Sequence, residues 1–275
     1  MNAPPPLTDR PALIRQRARA AAAPALFLHD LVRDEVQDRL AEVNRSFTAP
    51  AVVTGWPGVW RDALPGARIV ADDEVLDLAP AAHDLVIHAL ALHWASDPVG
   101  QLIQCARALR PDGLLIAALF GGRTLQELRV HLAAAEAAAT GGLSPRVMPM
   151  GDIRDLGGLL QRAGLALPVA DSLVQAVVYR DAWALMRDLR AMGEGNALAA
   201  RLRRPTRRAV LAGAAARHAA DGAARITATF EIVFLTGWSP HPGQPKPLRP
   251  GSATASLADA LQQAITSRGR DPADG

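Results

Sequence analysis

The sequence predicts an α/β domain built around a partly parallel β-sheet. Two apolar runs, at residues 84–88 and 114–120, have the length and composition of buried strands. Between them, residues 97–109 begin with Asp97 and Pro98, an N-cap and first-turn pair that is typical of a helix start. Strand, helix and strand in this order form a βαβ unit, whose two strands lie parallel in one sheet.

A helical segment is predicted for residues 1–50. Residues 26–46 carry apolar side chains at three-to-four spacing, which favours an amphipathic helix that Pro50 ends. The preceding Ala-rich stretch is acid-poor and contains four arginines, namely Arg10, Arg15, Arg17 and Arg19. Its composition resembles an organelle transit peptide, but we favour a solvated helix of the domain itself.

The strands and turns of the first half follow from short apolar runs. Residues 51–54 form a buried strand that Gly55 closes, and residues 68–70 form a second, shorter strand. The LRPDG sequence at residues 109–113 is predicted to be a turn, because Pro and Gly interrupt both helix and strand.

The second half is predicted to be mainly helical. Helices are expected at 124–140, 152–163, 182–192 and 206–220, and strands at 173–179 and 226–234. The predicted organisation is a helical segment (1–50), a main domain (51–255) with helical insertions at 123–163 and 181–222, and a C-terminal tail (256–275).

Composition excludes several classes of site. Cys105 is the single cysteine, so the chain has no intrachain disulfide, and we predict no metal site. The pI near 9.9 accompanies a net charge of only +3, and Lys246 is the single lysine among 30 basic residues. The arginines of residues 201–208 have no interleaved aromatic residues, so we interpret them as a solvated helix face and predict no nucleic-acid partner.

The same composition bears on the compartment. No apolar stretch approaches the roughly 20 residues that span a bilayer, so we predict no transmembrane segment. The first residues show no apolar core of a secretory signal. We therefore predict a cytoplasmic protein, with peripheral contact to the inner membrane as an open alternative.

Several longer motifs resemble known families. Residues 83–113, ending in LRPDG, are similar to the fourth strand and following helix of class I S-adenosylmethionine (SAM)-dependent methyltransferases. The continuation resembles the methyltransferase-fold assembly factors of respiratory complex I and, more distantly, the malonyl-carrier-protein methyltransferases of biotin synthesis. The motifs that carry it are FGGRTLQELR (120–129), GLSP (142–145), DLGGLLQRAG (155–164) and MGEGN (192–196).

The resemblance implies a Rossmann-like class I methyltransferase fold, SAM as cofactor and a protein substrate, such as a complex I subunit. Hydroxylation of an arginine is associated with part of that family. The residues expected near the cofactor are Gly55 and Gly58 in the glycine loop, Asp72 and Asp73 beside the adenine, and His88 at the end of its strand. For Asp72 and Asp73, a helix-capping turn is the alternative.

The sequence departs from this pattern around the glycine loop. Pro57 stands where the second glycine is expected, and Pro has a fixed φ and no N–H. Residues 55–83 are also too few for the three parallel crossovers that the full fold needs there. We therefore expect a first half shortened by at least one βα unit. The alternative function is a non-catalytic assembly chaperone that has lost SAM binding.

A substrate cleft is predicted beside the ends of the fourth and fifth strands of the family fold. Its candidate residues are His93, Trp94, Glu127, Arg129, Glu194 and Asn196. All of them except His93 have a structural alternative. The tryptophan can be a packing residue, the charges at 127 and 129 an exposed pair, and the Gly-rich turn at 193–196 a helix C-cap.

Overall fold

A six-stranded mixed sheet forms the centre of the computed structural model, which describes residues 6–219 and 225–245. The strands are β1 (Pro50–Thr54), β2 (Arg68–Val70), β3 (His83–Ala89), β4 (Leu109–Phe120), β5 (Ala166–Tyr179) and β6 (Ile226–Trp238). They are ordered β2-β1-β3-β4-β6-β5. Strands β1 to β4 pair in parallel, whereas β6 is antiparallel to both β4 and β5. The predicted α/β class is confirmed.

Helices cover both faces of the sheet. They are α1 (Arg10–Ala20), α2 (Phe27–Glu42), α3 (Pro98–Ala108), α4 (Gln126–Thr140), α5 (Ile153–Arg162), α6 (Ala182–Ala191) and α7 (Arg208–Ala219). Leu85 and Ile87 of β3 belong to the core under α2, α4, α6 and α7, whereas Val86 belongs to the core under α3 and α5. This division follows from the two-residue period of a strand, which sends alternate side chains to opposite faces.

The predicted shortening of the first half is also confirmed. Residues 55–82, all of which the structure describes, hold only the 3-10 helix Pro57–Val59 and strand β2. No α-helix connects β1 to β2 or β2 to β3 in this segment. The sheet therefore has a single strand beyond β1, and that strand follows β1 almost directly.

Two predicted elements differ from the structure. Residues 109–113 are not a separate turn but the first part of β4, where three extra residues bulge out between the pairs His83–Leu109 and Leu85–Leu114. Asp112 in this bulge has φ +61°, a left-handed conformation that is also common in turns, so the turn-like sequence suits the bulge. Strand β5 begins seven residues before the predicted 173, because it is an exposed edge strand held along its length by β6.

The domain boundaries stay predictions. The expected helical insertions contain α4, α5, α6 and α7. The predicted tail at 256–275 lies outside the described residues. The chain divides into the units Met1–Pro240 and His241–Gly275, and of the second unit the structure describes residues 241–245. Within the described part, no helix is long and apolar enough to cross a membrane.

Candidate functional site

The ends of the first parallel strands bring the predicted site residues together. Gly55 follows β1, Asp72 lies two residues beyond β2, and the 3-10 helix Leu92–Trp94 follows β3. Ligands of open α/β sheets bind outside the carboxyl ends of the strands. This edge is therefore the candidate functional site.

Helix α1 lies on this edge and binds Asp72 with two arginines. Arg17 Nη1 donates to Asp72 Oδ1 at 2.7 Å, and Arg10 Nη1 donates to Oδ2 at 3.1 Å. Arg10 Nη2 also donates to the Asp72 carbonyl at 2.6 Å. Both carboxylate oxygens of Asp72 are thus engaged by α1.

Asp72 is a buried carboxylate that stays ionised because of these arginines. Its side chain is 4% exposed, and burial alone would raise its pKa. The charges of Arg17 and Arg10 outweigh burial, so the pKa of Asp72 lies below its usual value. The predicted solvated helix is therefore wrong for these two arginines, whereas Arg15 and Arg19 are exposed as expected.

Gly55 is covered by the same arginine. A Cβ atom built on Gly55 would lie 2.3 Å from Arg17 Nη1, so the guanidinium occupies the space directly over this glycine. The glycine permits close approach, as the sequence predicts, but the group that approaches is a side chain of α1.

The other residues predicted near the cofactor are separated from this contact. Gly58 is exposed in the Pro57–Val59 turn, and it lines a surface cavity against α2. The Asp73 side chain is 63% exposed and reaches Arg10 Nη2 at 3.4 Å. His88 is fully buried within β3, where its Nε2 lies 2.9 Å from Gln101 Oε1 of α3. Burial lowers the pKa of His88, so it is neutral at pH 7.

These contacts do not fit SAM at this edge. A nucleoside cofactor needs acceptor oxygens for its ribose and an open backbone at the glycine turn. Asp72 follows β2, the strand beside β1, which is the position of the ribose-binding acid in this fold and not the adenine contact expected for it. It gives both carboxylate oxygens to arginines, and Arg17 covers Gly55.

A second feature of this edge is an apolar cavity of about 170 Å³. It lies between α4, α6, the 141–150 segment and the Gly-rich turn at 193–196. Its apolar lining residues include Phe120, Leu125, Leu128, Met148, Met186, Met192 and Phe230. Its polar lining includes Trp94, Glu194 and Asn196, three of the six predicted substrate residues. The volume is below the roughly 300 Å³ of typical small-molecule pockets, so it suits a single side chain.

Glu194 is the acidic residue of the cavity lining, which also includes Arg146 and Arg190. Its Oε2 accepts a hydrogen bond from Trp94 Nε1 at 2.8 Å and lies 3.3 Å from His93 Nε2. The side chain is 9% exposed, and burial raises its pKa. His93, Arg17 and Trp94 together lower it by more than burial raises it, so the pKa of Glu194 lies below its usual value and the group is anionic at pH 7. Among the described residues, its second oxygen, Oε1, has no hydrogen-bond partner.

Glu127 and Arg129 do not line this cavity. Glu127 accepts hydrogen bonds from the Thr229 hydroxyl at 2.5 Å and the Thr229 N–H at 3.3 Å, which ties α4 to β6. Arg129 Nη2 donates to the Met148 carbonyl at 3.3 Å, which ties α4 to the 141–150 segment. Both residues support the cavity wall from behind.

The wall of the cavity also depends on an ion pair that the sequence did not predict. Glu136 of α4 accepts hydrogen bonds from Arg146 Nη2 at 2.6 Å and Nε at 2.8 Å. It also accepts from the Ser144 hydroxyl at 2.7 Å and N–H at 3.0 Å. These bonds fix the irregular segment whose residues 146–150 line the cavity.

The sequence did contain a signal for the α1 contact. Arg10, Leu13 and Arg17 are spaced i, i+3 and i+7, which places them on one helix face. Leu13 is fully buried, so the arginines on either side of it must also face the protein. His29 of α2, also not predicted, is buried nearby, and burial lowers its pKa to about 4.

Comparisons with known proteins find methyltransferases and related proteins. Residues 33–117 match a family described as a methyltransferase domain. A putative methyltransferase of Bacillus halodurans aligns with 74% of this chain and 96% of its own length, at 12% identity and a TM-score of 0.46. Residues 33–117 contain β1, β2, β3, α3 and most of β4, so this match assigns the parallel part of the sheet to the class of methyltransferase-like domains, in agreement with its α/β topology.

Within this class, the chain is similar to proteins named arginine-hydroxylase NDUFAF5. It is 39% identical to the Danio rerio protein over 198 residues, covering 71% of this chain and 62% of the relative. It is 38% identical to the Homo sapiens protein over 200 residues, covering 71% and 57%. The malonyl-[acyl-carrier protein] O-methyltransferase of Laribacter hongkongensis is 38% identical over 177 residues, covering 63% and 57%. The chain thus spans about three fifths of the length of these relatives.

These similarities confirm the resemblance drawn from the motifs, and they correct one prediction. The NDUFAF5 relatives carry the word mitochondrial in their names. They point to a mitochondrial location, so the predicted cytoplasmic location is wrong. No cluster of potential metal ligands occurs among the residues that the structure describes.

Proposed function

We propose that this chain binds a protein substrate during the assembly of respiratory complex I and that its cavity holds an arginine side chain of that substrate. The observation that carries the proposal is Glu194, an anionic carboxylate in an apolar cavity with one unpartnered oxygen. The relatives named arginine-hydroxylase support arginine as the side chain.

The lining matches the two parts of an arginine side chain. The apolar walls, among them Leu128, Met148 and Met192, suit its three-carbon stem. Glu194 Oε1 can accept from the guanidinium, and charge-assisted hydrogen bonds of this kind are about twice as strong as neutral ones. Two arginines also line the cavity: the charge of Arg146 is paired with Glu136, and Arg190 places a second positive charge on the α6 wall.

A peptide titration tests this recognition. We expect Ac-Gly-Arg-Gly-NH2 to bind about tenfold more tightly than the same peptide with citrulline, which has nearly the same shape but no charge. Glu194→Gln should abolish this preference. Glu42→Gln, at an exposed carboxylate at the end of α2, is the matched control and should retain it. Equal affinity of the wild-type protein for both peptides would contradict the proposal.

The role in complex I assembly has its own test. Deleting the gene should lower NADH:quinone activity in isolated membranes, and the wild-type gene or Glu42→Gln should restore it. Glu194→Gln should fail to restore it at equal protein level. Normal activity in the deletion strain would remove the assignment to complex I.

SAM-dependent modification of the bound substrate is a second candidate function. The match of residues 33–117 to a methyltransferase domain favours it, whereas the arginine contacts at Asp72 and Gly55 oppose it. Membranes from the deletion strain, incubated with this protein and SAM carrying a radiolabelled methyl group, would test it. Label that enters a complex I subunit only in the presence of the protein would establish methyl transfer. No incorporation would count against methyl transfer.

A further inference from the structure

Helix α1 is built into the protein through both backbone and side chains. Asp9 caps the helix by accepting from the Ala12 N–H at 3.0 Å, and the Asp9 N–H donates to the Ala197 carbonyl at 2.7 Å. The Ala199 N–H donates to the Leu7 carbonyl at 2.9 Å. Leu13 is fully buried in a cluster with Trp94. The position of α1 on the sheet edge is therefore fixed at its start and along its length.

Two glycines allow α1 to approach the turn that carries Glu194. A Cβ on Gly193 would lie 2.9 Å from Arg17 Cγ, and a Cβ on Gly195 would lie 2.6 Å from Gln16 Oε1. Gln16 Nε2 also donates to the Asn196 carbonyl at 3.1 Å. The stem of Arg17 thus runs between this turn and Gly55 before its guanidinium reaches Asp72.

From this placement we infer that α1 takes the position of the nucleoside cofactor and that the folded chain excludes SAM. Arg17 fills the space over Gly55, and Arg10 and Arg17 together bind the carboxylate of Asp72. The ribose hydroxyls of SAM would have to displace two charge-assisted hydrogen bonds from Asp72. The sulfonium of SAM is itself a cation, and the Arg17 guanidinium already places a positive charge over Gly55. Arginine binding at Glu194 does not depend on this inference.

Isothermal titration of the wild-type protein with SAM, and separately with S-adenosylhomocysteine, tests the exclusion directly. We expect no saturable heat and no thermal shift at millimolar ligand. Micromolar binding of either molecule would overturn the inference. The arginine-peptide titration on the same preparation shows that the protein is folded and keeps the two proposals separate, because it reports on Glu194 rather than on Asp72.

A double-mutant cycle tests the contact on which the inference rests. Arg17→Met and Asp72→Asn should each lower the midpoint of urea unfolding, and the double variant should lose less than the sum of the two. Arg15→Met, on the exposed face of the same helix, is the matched control and should leave the midpoint nearly unchanged. Strictly additive losses would show that Arg17 and Asp72 are not coupled and would overturn the inference.

Discussion

The ion pair between Glu136 and Arg146 should make stability depend on pH in a defined window. Glu136 is 4% exposed, and its hydrogen bonds with Arg146 and Ser144 lower its pKa from 4.5 to about 2. At about 1.4 kcal/mol per pKa unit, this difference corresponds to roughly 3 kcal/mol of folding free energy. Because the pKa is lowered on folding, this contribution is fully present above pH 4.5 and is lost as the pH falls through 2.

Glu136→Gln removes the charge while keeping the shape, so the free energy of unfolding of the variant should be about 3 kcal/mol lower than that of the wild type at pH 7. The pKa of Glu136 is 4.5 in the unfolded chain and about 2 in the folded protein. The difference in unfolding free energy between wild type and variant should therefore be smaller by roughly 2 kcal/mol at pH 3 than at pH 7. Urea unfolding of both proteins at pH 7, 5, 4 and 3 measures the difference in unfolding free energy at each pH. Subtracting the two curves removes the contribution of every other carboxylate.

Glu42→Gln is the control for this measurement, because its carboxylate is exposed and the substitution should leave the free energy of unfolding at pH 7 nearly unchanged. A difference for Glu136→Gln that stays constant from pH 7 to pH 3 would refute the reasoning. A difference well below 1 kcal/mol at pH 7 would also refute it, because the ion pair would then behave like an exposed one.

Three further predictions concern buried groups elsewhere. Gly193→Ala should destabilise the fold by about 1–2 kcal/mol in urea unfolding, because φ is +75° and the new Cβ would press on Arg17; Gly58→Ala, with open space around it, should have little effect. The buried thiol of Cys105, whose pKa burial raises to about 12, should react with Ellman's reagent only after unfolding, and rapid reaction of the native protein would contradict this. His29, with its pKa lowered to about 4 by burial, is neutral when folded but charged when unfolded below pH 6.5. Protonation of His29 in the unfolded chain should therefore lower the free energy of unfolding by about 2 kcal/mol between pH 7 and pH 5. Urea unfolding at several pH values should show that His29→Leu lacks this part of the decrease.

The sequence predicted the elements whose signals are local. The apolar runs at 84–88 and 114–120 lie within β3 and β4, and Asp97 with Pro98 marks the start of α3 as expected. The bulge at 109–113 was not predicted, because a turn sequence and a bulge in a paired strand use the same residues. Only the pairing with β3 distinguishes the two.

The candidate site could be predicted in part for a similar reason. Trp94 and Glu194 lie 100 residues apart, and motif resemblance placed both near the cleft where their side chains meet. The contact of Asp72 with Arg10 and Arg17 involves residues 62 and 55 apart, and no local pattern reports such a partner. Burial of Leu13 between the arginines decides their orientation, and burial depends on the tertiary fold.

The anchoring of α1 has a consequence for how the chain reaches its native state. Thr8 pairs with Leu198 in an isolated bridge, and Asp9 binds Arg201, a residue 192 positions later. Contacts this distant in sequence form slowly, because the chain between them must be ordered before they close. During synthesis, the contacts of α1 with residues 193–201 cannot form until that segment has left the ribosome, although its contacts with Asp72 and Gly55 involve earlier residues. We therefore expect the docking of the N-terminal helix to be completed late.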